Sequence, residues 1–164
     1  MFERGMSAAV AAAMLRISDA LELLTAQHAQ IDDLFDLVAT LRDPDVLDEL
    51  ADTLAFHLSI EHELLYPSLS PPLTREILDE LAAEHDEIRR VLAELVWFGE
   101  RDEDFEARLE SLGLLLDGHV GYQEDELFTR AAGAMSGAQL VDLGTRMADS
   151  AAPFVYERAH ALAS

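Results

Sequence analysis

What most constrains this chain is a duplication of helical stripes, each with a histidine set among its apolar residues. The segment "TAQHAQIDDLF" around His28 matches "AAEHDEIRRVL" around His85, and "HLSIEHELLY" from His57 matches "HVGYQEDELF" from His119. With the second pair aligned on its histidines, Leu65 falls opposite Leu127 and Tyr66 opposite Phe128. The stripe around His28 is Leu21, Leu24, Ile31, Phe35 and Val38, and the one around His85 is Ile77, Leu81, Ile88, Leu92 and Leu95. Leu47, Leu50, Leu54 and Leu64 accompany His57, as Phe105, Leu109, Leu112, Leu116 and Leu127 accompany His119. Positions three and four apart share one face of a helix, so each histidine points where its apolar neighbours point. The order long helix, histidine helix, turn, long helix, histidine helix predicts an all-α chain. It folds as an antiparallel up-down four-helix bundle with one inward histidine per helix.

The breaks between helices are legible in the same way. Ser18 is the expected N-cap of a first helix over about residues 18 to 40. Pro44 in "RDPD" disfavours helix at Asp43 and suits the first turn of the next one. The second helix is expected to stop at Tyr66-Pro67, the third to follow an "SPP" turn, and the fourth to follow the loop "GERDED". Trp97 and Phe98 end the third helix and read as core or cap residues. From Ser136 a further amphipathic helix, interrupted before Pro153, is expected to pack across one end of the bundle. Half of the 164 residues are hydrophobic, enough for one domain with a real core. The expected organisation is an N-terminal extension (1–17), the bundle (18–135) and a C-terminal helical segment (136–164).

Four inward histidines raise a question of chemistry. A single buried histidine is more often a hydrogen-bonded core residue than a ligand. Here an apolar core has few partners for four imidazoles and Glu61, and each group left unpaired costs about 1–3 kcal/mol. His57 and Glu61, four apart, lie one above the other on a helix and can reach one ion. Iron, manganese and zinc accept imidazole and carboxylate together. The chain has no cysteine, which excludes thiolate sites, disulfides and a cysteine nucleophile and leaves N and O ligands. Metal binding is the expectation.

At these residues the chain resembles the hemerythrin-like, or HHE cation-binding, domains, over about residues 18 to 148. The resemblance implies a non-haem di-iron centre with His28, His57, His85 and His119 as terminal ligands and a carboxylate from each of the second and fourth helices as bridges. It also implies a function among those of the family, whose members variously bind oxygen, handle peroxide or nitric oxide, or sense iron and oxygen. There are two departures. Arg89 stands where oxygen-carrying members place a second third-helix histidine, and Gln123 stands where the second bridging glutamate is expected.

Glutamate brings a negative charge and two equivalent oxygens; glutamine brings one neutral carbonyl oxygen and an NH2 that cannot coordinate usefully. Three outcomes are open. One metal position is weak or lost, Gln123 contributes its oxygen or holds a bound hydroxide, or Glu124 takes over the bridge, as the position five after the histidine does in oxygen carriers. On an ideal helix Glu124 is rotated about 140° from His119, so this last outcome needs a π-bulge or kink. Gly118 and Gly121 permit one, and equally permit close approach of a neighbouring helix. His62, which matches Glu124, reads as exposed or interfacial, and His160 as surface. Tyr66 and Tyr122 lie near the stripe's edge, as core-filling phenols or as a ligand or redox partner.

The net charge of −22 disfavours nucleic acid and anionic membrane surfaces as partners and favours cations. The alanine-rich start is too short for a convincing signal peptide and Glu3 offsets Arg4, so the cytoplasm is the expected location. The functional expectation is a di-iron protein, or one with a single iron, that binds or reduces oxygen, peroxide or nitric oxide. If it is an enzyme, it is an oxidoreductase of the oxygen or peroxide type. A non-enzymatic iron or oxygen sensor or store, and a metal-free bundle kept for protein contacts, remain as alternatives. Oligomeric state has no signature in the sequence.

Overall fold

In the structure, a computed structural model, residues 19–69 and 73–161 are described, with 151–161 as backbone alone. The helices are α1 (Ala20–Leu41), α2 (Pro44–Ile60, prolonged by Glu61–Leu65 and Tyr66–Ser68), α3 (Arg75–Phe98), α4 (Phe105–Tyr122, prolonged by Gln123–Leu127 and Phe128–Ala134) and α5 (Gly137–Ala161). The first four form the antiparallel bundle, with α1 on α2 and α3 on α4, and α5 lies across one end against α1 and α2. No helix among the described residues is long and apolar enough to cross a membrane.

Short polar residues begin the helices. Asp19, extended at φ −149°, accepts from the backbone N–H of Leu21 and Glu22 at 2.8 and 3.0 Å, which satisfies donors that have no partner within the helix. Asp43 caps α2 with Pro44 at its first position, and Thr74 caps α3. At α5, Ser136 and Gln139 exchange side-chain-to-backbone hydrogen bonds, a reciprocal capping box. Gly99 closes α3 at φ 76°, where glycine carries no side-chain penalty. Gly144 is where α5 crosses the start of α1: a Cβ there would come within 2.8 Å of the Asp19 and Ala20 backbone.

Several expectations meet corrections here. The second helix does not stop at Tyr66-Pro67 but runs on to Ser68, because its last turns widen into a π-helix. α5 continues through Pro153 without the expected break. Trp97 and Phe98 are not core residues; they are 83% and 51% exposed, beyond Leu95, the last buried residue of α3, and Arg108 of α4 lies over the Phe98 ring. The N-terminal extension, the Ser18 cap, the turn at 70–72 and the His160 side chain lie outside the described residues.

Two apolar clusters fill the bundle. One, at the α5 end, gathers Leu23, Leu24, Ile60, Leu65, Leu81, Leu127, Phe128, Leu143 and Met147. The other, toward the opposite end, gathers Ile31, Val38, Leu50, Leu54, Ile88, Leu95, Phe105 and Leu112. Along α1, α3 and α4 the inward histidine falls between residues of the two clusters, as it does on α2 between Leu54 and Leu65. Gln27, His28, His57, Glu61, His85, His119 and Gln123 are all buried. A polar layer is thus sealed between two apolar plugs, where an unmatched hydrogen bond or charge is costly.

Candidate metal centre

The two histidine helices change their winding at the polar layer. Over Glu61–Leu65 and Gln123–Leu127 they are π-helical: the N–H of Tyr66 donates to the Glu61 carbonyl and that of Phe128 to the Gln123 carbonyl, five residues back. Residues five apart diverge by about 140° on an α-helix, whereas a π-turn returns them to one face. Tyr66 is carried over Glu61 and Phe128 over Gln123. Phe128 stacks on His28, with ring centroids 5.8 Å apart and planes 1° from parallel. The tyrosine hydroxyl comes 2.9 Å from His85 Nε2 and donates a long, 3.5 Å bond to Glu61 Oε2. Glycine is not what permits the winding, since α2 does the same with Phe56 and Ser59 at the positions of Gly118 and Gly121. A Cβ on either glycine would meet nothing within 4 Å, so no neighbouring helix exploits them.

Glu61 is the centre of the layer. Its Oε1 lies 3.0 Å from His57 Nε2, and its Oε2 lies 3.2 Å from Nε2 of both His85 and His119. Proximity here is not satisfaction: His57 Nε2, His119 Nε2 and Glu61 Oε1 are buried without a hydrogen-bond partner among the described residues. Ligand atoms from His28, His57, Glu61 and His119 lie within 4.8 Å of one another. His85 reaches the same carboxylate through Oε2, and its Nδ1 is buried without a hydrogen-bond partner. Leaving several such atoms unpaired would cost about 1–3 kcal/mol each, which a cation bound among them would relieve. The donor set of imidazole nitrogens and a carboxylate suits first-row transition metals and zinc.

Three of the histidines have their other nitrogen held from behind. Gln27 Oε1 accepts from His57 Nδ1 at 2.9 Å, Glu84 Oε1 from His119 Nδ1 at 2.6 Å, and Glu124 Oε1 from His28 Nδ1 at 2.8 Å. Metal-binding histidines characteristically donate their second N–H in this way, which fixes tautomer and ring plane. Gln27 and Glu84 went unread in the sequence. The signal was available, because each directly precedes one of the matched histidines. Helical periodicity does not expose it, because neighbours on a helix point in different directions and each contact is to the following helix.

The profile of the hemerythrin HHE cation-binding domain matches residues 19–131, most of the chain and all of the layer just described. The chain belongs to the hemerythrin HHE cation-binding family. A crystal structure of a hemerythrin HHE cation-binding domain-containing protein from Mycobacterium kansasii is similar in fold, with a TM-score of 0.77 at 23% identity, covering 90% of this chain and 94% of that one. No curated protein sequence matches the chain.

The family's two atypical positions fall in defined places. Gln123 is fully buried, with Oε1 2.9 Å from His28 Nε2 and Nε2 donating to the Tyr66 hydroxyl at 3.4 Å. Glu124 is not brought to the convergence point. The π-turn begins at Gln123 and turns Phe128 inward, so Glu124 stays 40% exposed and meets His28 from outside. Arg89 faces solvent and pairs with Asp86. His62 is exposed as expected, and Tyr122 is half-buried against the apolar cluster at the α5 end.

Charge is distributed unevenly in this hemerythrin-like layer. Burial would push the Glu61 carboxyl up, but the close imidazoles, His57 foremost and then His119 and His85, hold it well below the usual carboxylate range. Burial would lower His119, yet its contacts with Glu61 and Glu84 hold it at about 9. His28 is lowered by burial and by the neighbouring His57, and His85 is lowered by burial. Burial, and then the Glu61 charge, raise Tyr66, so its hydroxyl stays protonated and remains a donor.

Proposed function

We propose that this chain is a cytoplasmic hemerythrin-like non-haem iron protein that binds or reacts with a small oxidant: oxygen, peroxide or nitric oxide. It holds two irons, or one iron with the second position weak. The observation that carries the reading is the sealed layer in which His57 Nε2, His119 Nε2 and Glu61 Oε1 lack partners and converge with His28. In this reading His28, His57, His85, His119, Glu61 and the carbonyl oxygen of Gln123 would hold the iron, with Gln123 standing where a second carboxylate is expected. Glu124 acts one step outward, orienting His28.

Iron, when bound, supplies the electrons for oxidant chemistry. The chain supplies the rest. The apolar clusters exclude water from both sides of the layer. Gln27, Glu84 and Glu124 set the imidazole planes. Tyr66 holds a proton within the layer, 3.5 Å from Glu61 Oε2 and 2.9 Å from His85 Nε2.

The test is anaerobic loading with Fe(II), removal of excess, exposure to air, then metal analysis with an optical spectrum. Stoichiometric iron with new charge-transfer absorption in the near ultraviolet is expected. A chain without stoichiometric iron would overturn the reading in favour of a bundle kept for protein contacts.

A further inference from the structure

The duplication extends one shell beyond the pocket. Gln27 and Glu84 occupy matched positions, and they do matched work: each accepts the Nδ1–H of the histidine on the next helix, His57 for Gln27 and His119 for Glu84. The inner positions are matched too, Glu61 four residues after His57 and Gln123 four after His119. At these two pairs of matched positions each half therefore has one carboxylate and one amide, in opposite order. The α2 half has Glu61 inside and Gln27 outside; the α4 half has Gln123 inside and Glu84 outside.

The exchange has a physical consequence. An imidazole N–H donating to a carboxylate makes a charge-assisted bond, shorter and stronger than one to an amide, and this raises electron density at the opposite nitrogen. The contacts follow that order, 2.6 Å to Glu84 against 2.9 Å to Gln27. Glu124 is not part of the exchange: its matched residue, His62, is exposed, and His85 Nδ1 has no hydrogen-bond partner. We propose that Glu84 is a positioning residue that returns to the metal site, through His119, the negative charge that Gln123 withholds. Gln27 is neutral because Glu61 already supplies that charge in its own half. This rests on the metal-site reading above.

The test uses Co(II), a redox-stable probe with a visible d–d spectrum, titrated into the wild type and into E84Q, Q123E and E84Q/Q123E, with thermal melts of the metal-free proteins as a folding control. E84Q should weaken Co(II) binding about 10- to 100-fold, the range for loss of such outer partners. Q123E should recover most of that loss in the E84Q background. Recovery at a residue that makes no hydrogen bond to Glu84 is not the result of a merely structural role. E84Q binding Co(II) like the wild type, or a loss that Q123E does not recover, overturns the proposal. Should E84Q not fold, Q27E carries the test: added charge behind His57 should tighten Co(II) binding several-fold, and unchanged or weaker binding counts against the idea. A wild type that takes up no Co(II) sinks the metal-site reading itself, and the proposal with it.

Discussion

Replacing Glu61 with glutamine strikes the layer at its one inner carboxylate. The side chain is fully buried and the amide has nearly its volume, so no cavity opens and the change is one of charge. The charge removed is the one at 3.0 Å from His57 and 3.2 Å from both His85 and His119. A metal that binds only the native state stabilises it by RT ln(1 + [M]/Kd), about 2.7 kcal/mol at a free concentration 100 times Kd. For a chain of this length that is a rise in Tm of about 5–11 °C. If losing the Glu61 charge raises Kd at least 100-fold, the same metal concentration no longer exceeds Kd. The stabilisation then falls to about 0.4 kcal/mol, or roughly 1–2 °C. Calorimetric melts of wild type and E61Q, each with and without metal at one fixed concentration, read the difference directly. An E61Q chain whose metal-dependent shift equals that of the wild type would refute the reasoning, because the carboxylate would then have no part in holding the ion.

Other outcomes follow from the same contacts. In the metal-free protein His119, held at about 9 against 6.5 when unfolded, stabilises the fold fully below pH 6.5 and loses that contribution, up to about 3 kcal/mol, as pH rises through 9. His28 and His85, lowered, lose stability as pH falls below 6.5, and Glu61, held low, loses it as pH falls from about 4.5. Denaturation midpoints should therefore peak near neutral pH; midpoints still climbing at pH 10 would contradict this. Tyr66→Phe keeps the ring but strips the hydroxyl 2.9 Å from His85 Nε2, and should cost the metal-free protein about 1–3 kcal/mol in urea unfolding. An unchanged midpoint would show that the hydroxyl satisfies nothing. Gly144→Ala should lower Tm despite alanine's better helix propensity, since its Cβ meets fixed backbone of Asp19 and Ala20, an overpacking cost of about 1–3 kcal/mol. A higher Tm would mean that α5 can shift freely on α1.

Much of this was legible one residue at a time. Apolar spacing at helical period named the four bundle helices and put His28, His57, His85 and His119 inside, because a helix face is set by local geometry alone. The Asp43-Pro44 start of α2 was equally local. Trp97 and Phe98 continue an apolar run in the sequence, but the buried face of α3 ends at Leu95 and the two aromatic side chains fall outside it, with Arg108 of α4 over the Phe98 ring.

The duplication, read alone, determined that two matched segments each carry an inward histidine and that they differ at Glu61 and Gln123. It could not decide what replaces the missing carboxylate. The candidates within reach of sequence reasoning are the Gln123 oxygen itself and Glu124, which a π-turn could bring round, beside the loss of one metal position. The π-turns are present, but each starts at the inner residue itself and carries Tyr66 toward Glu61 and His85 and Phe128 onto the His28 ring instead. Only tertiary packing, which brings α1 against α2 and α3 against α4, sets Gln27 behind His57 and Glu84 behind His119. Which residues share a helix face depends on the periodicity of one segment, whereas which residue stands behind another's imidazole depends on how two helices are placed.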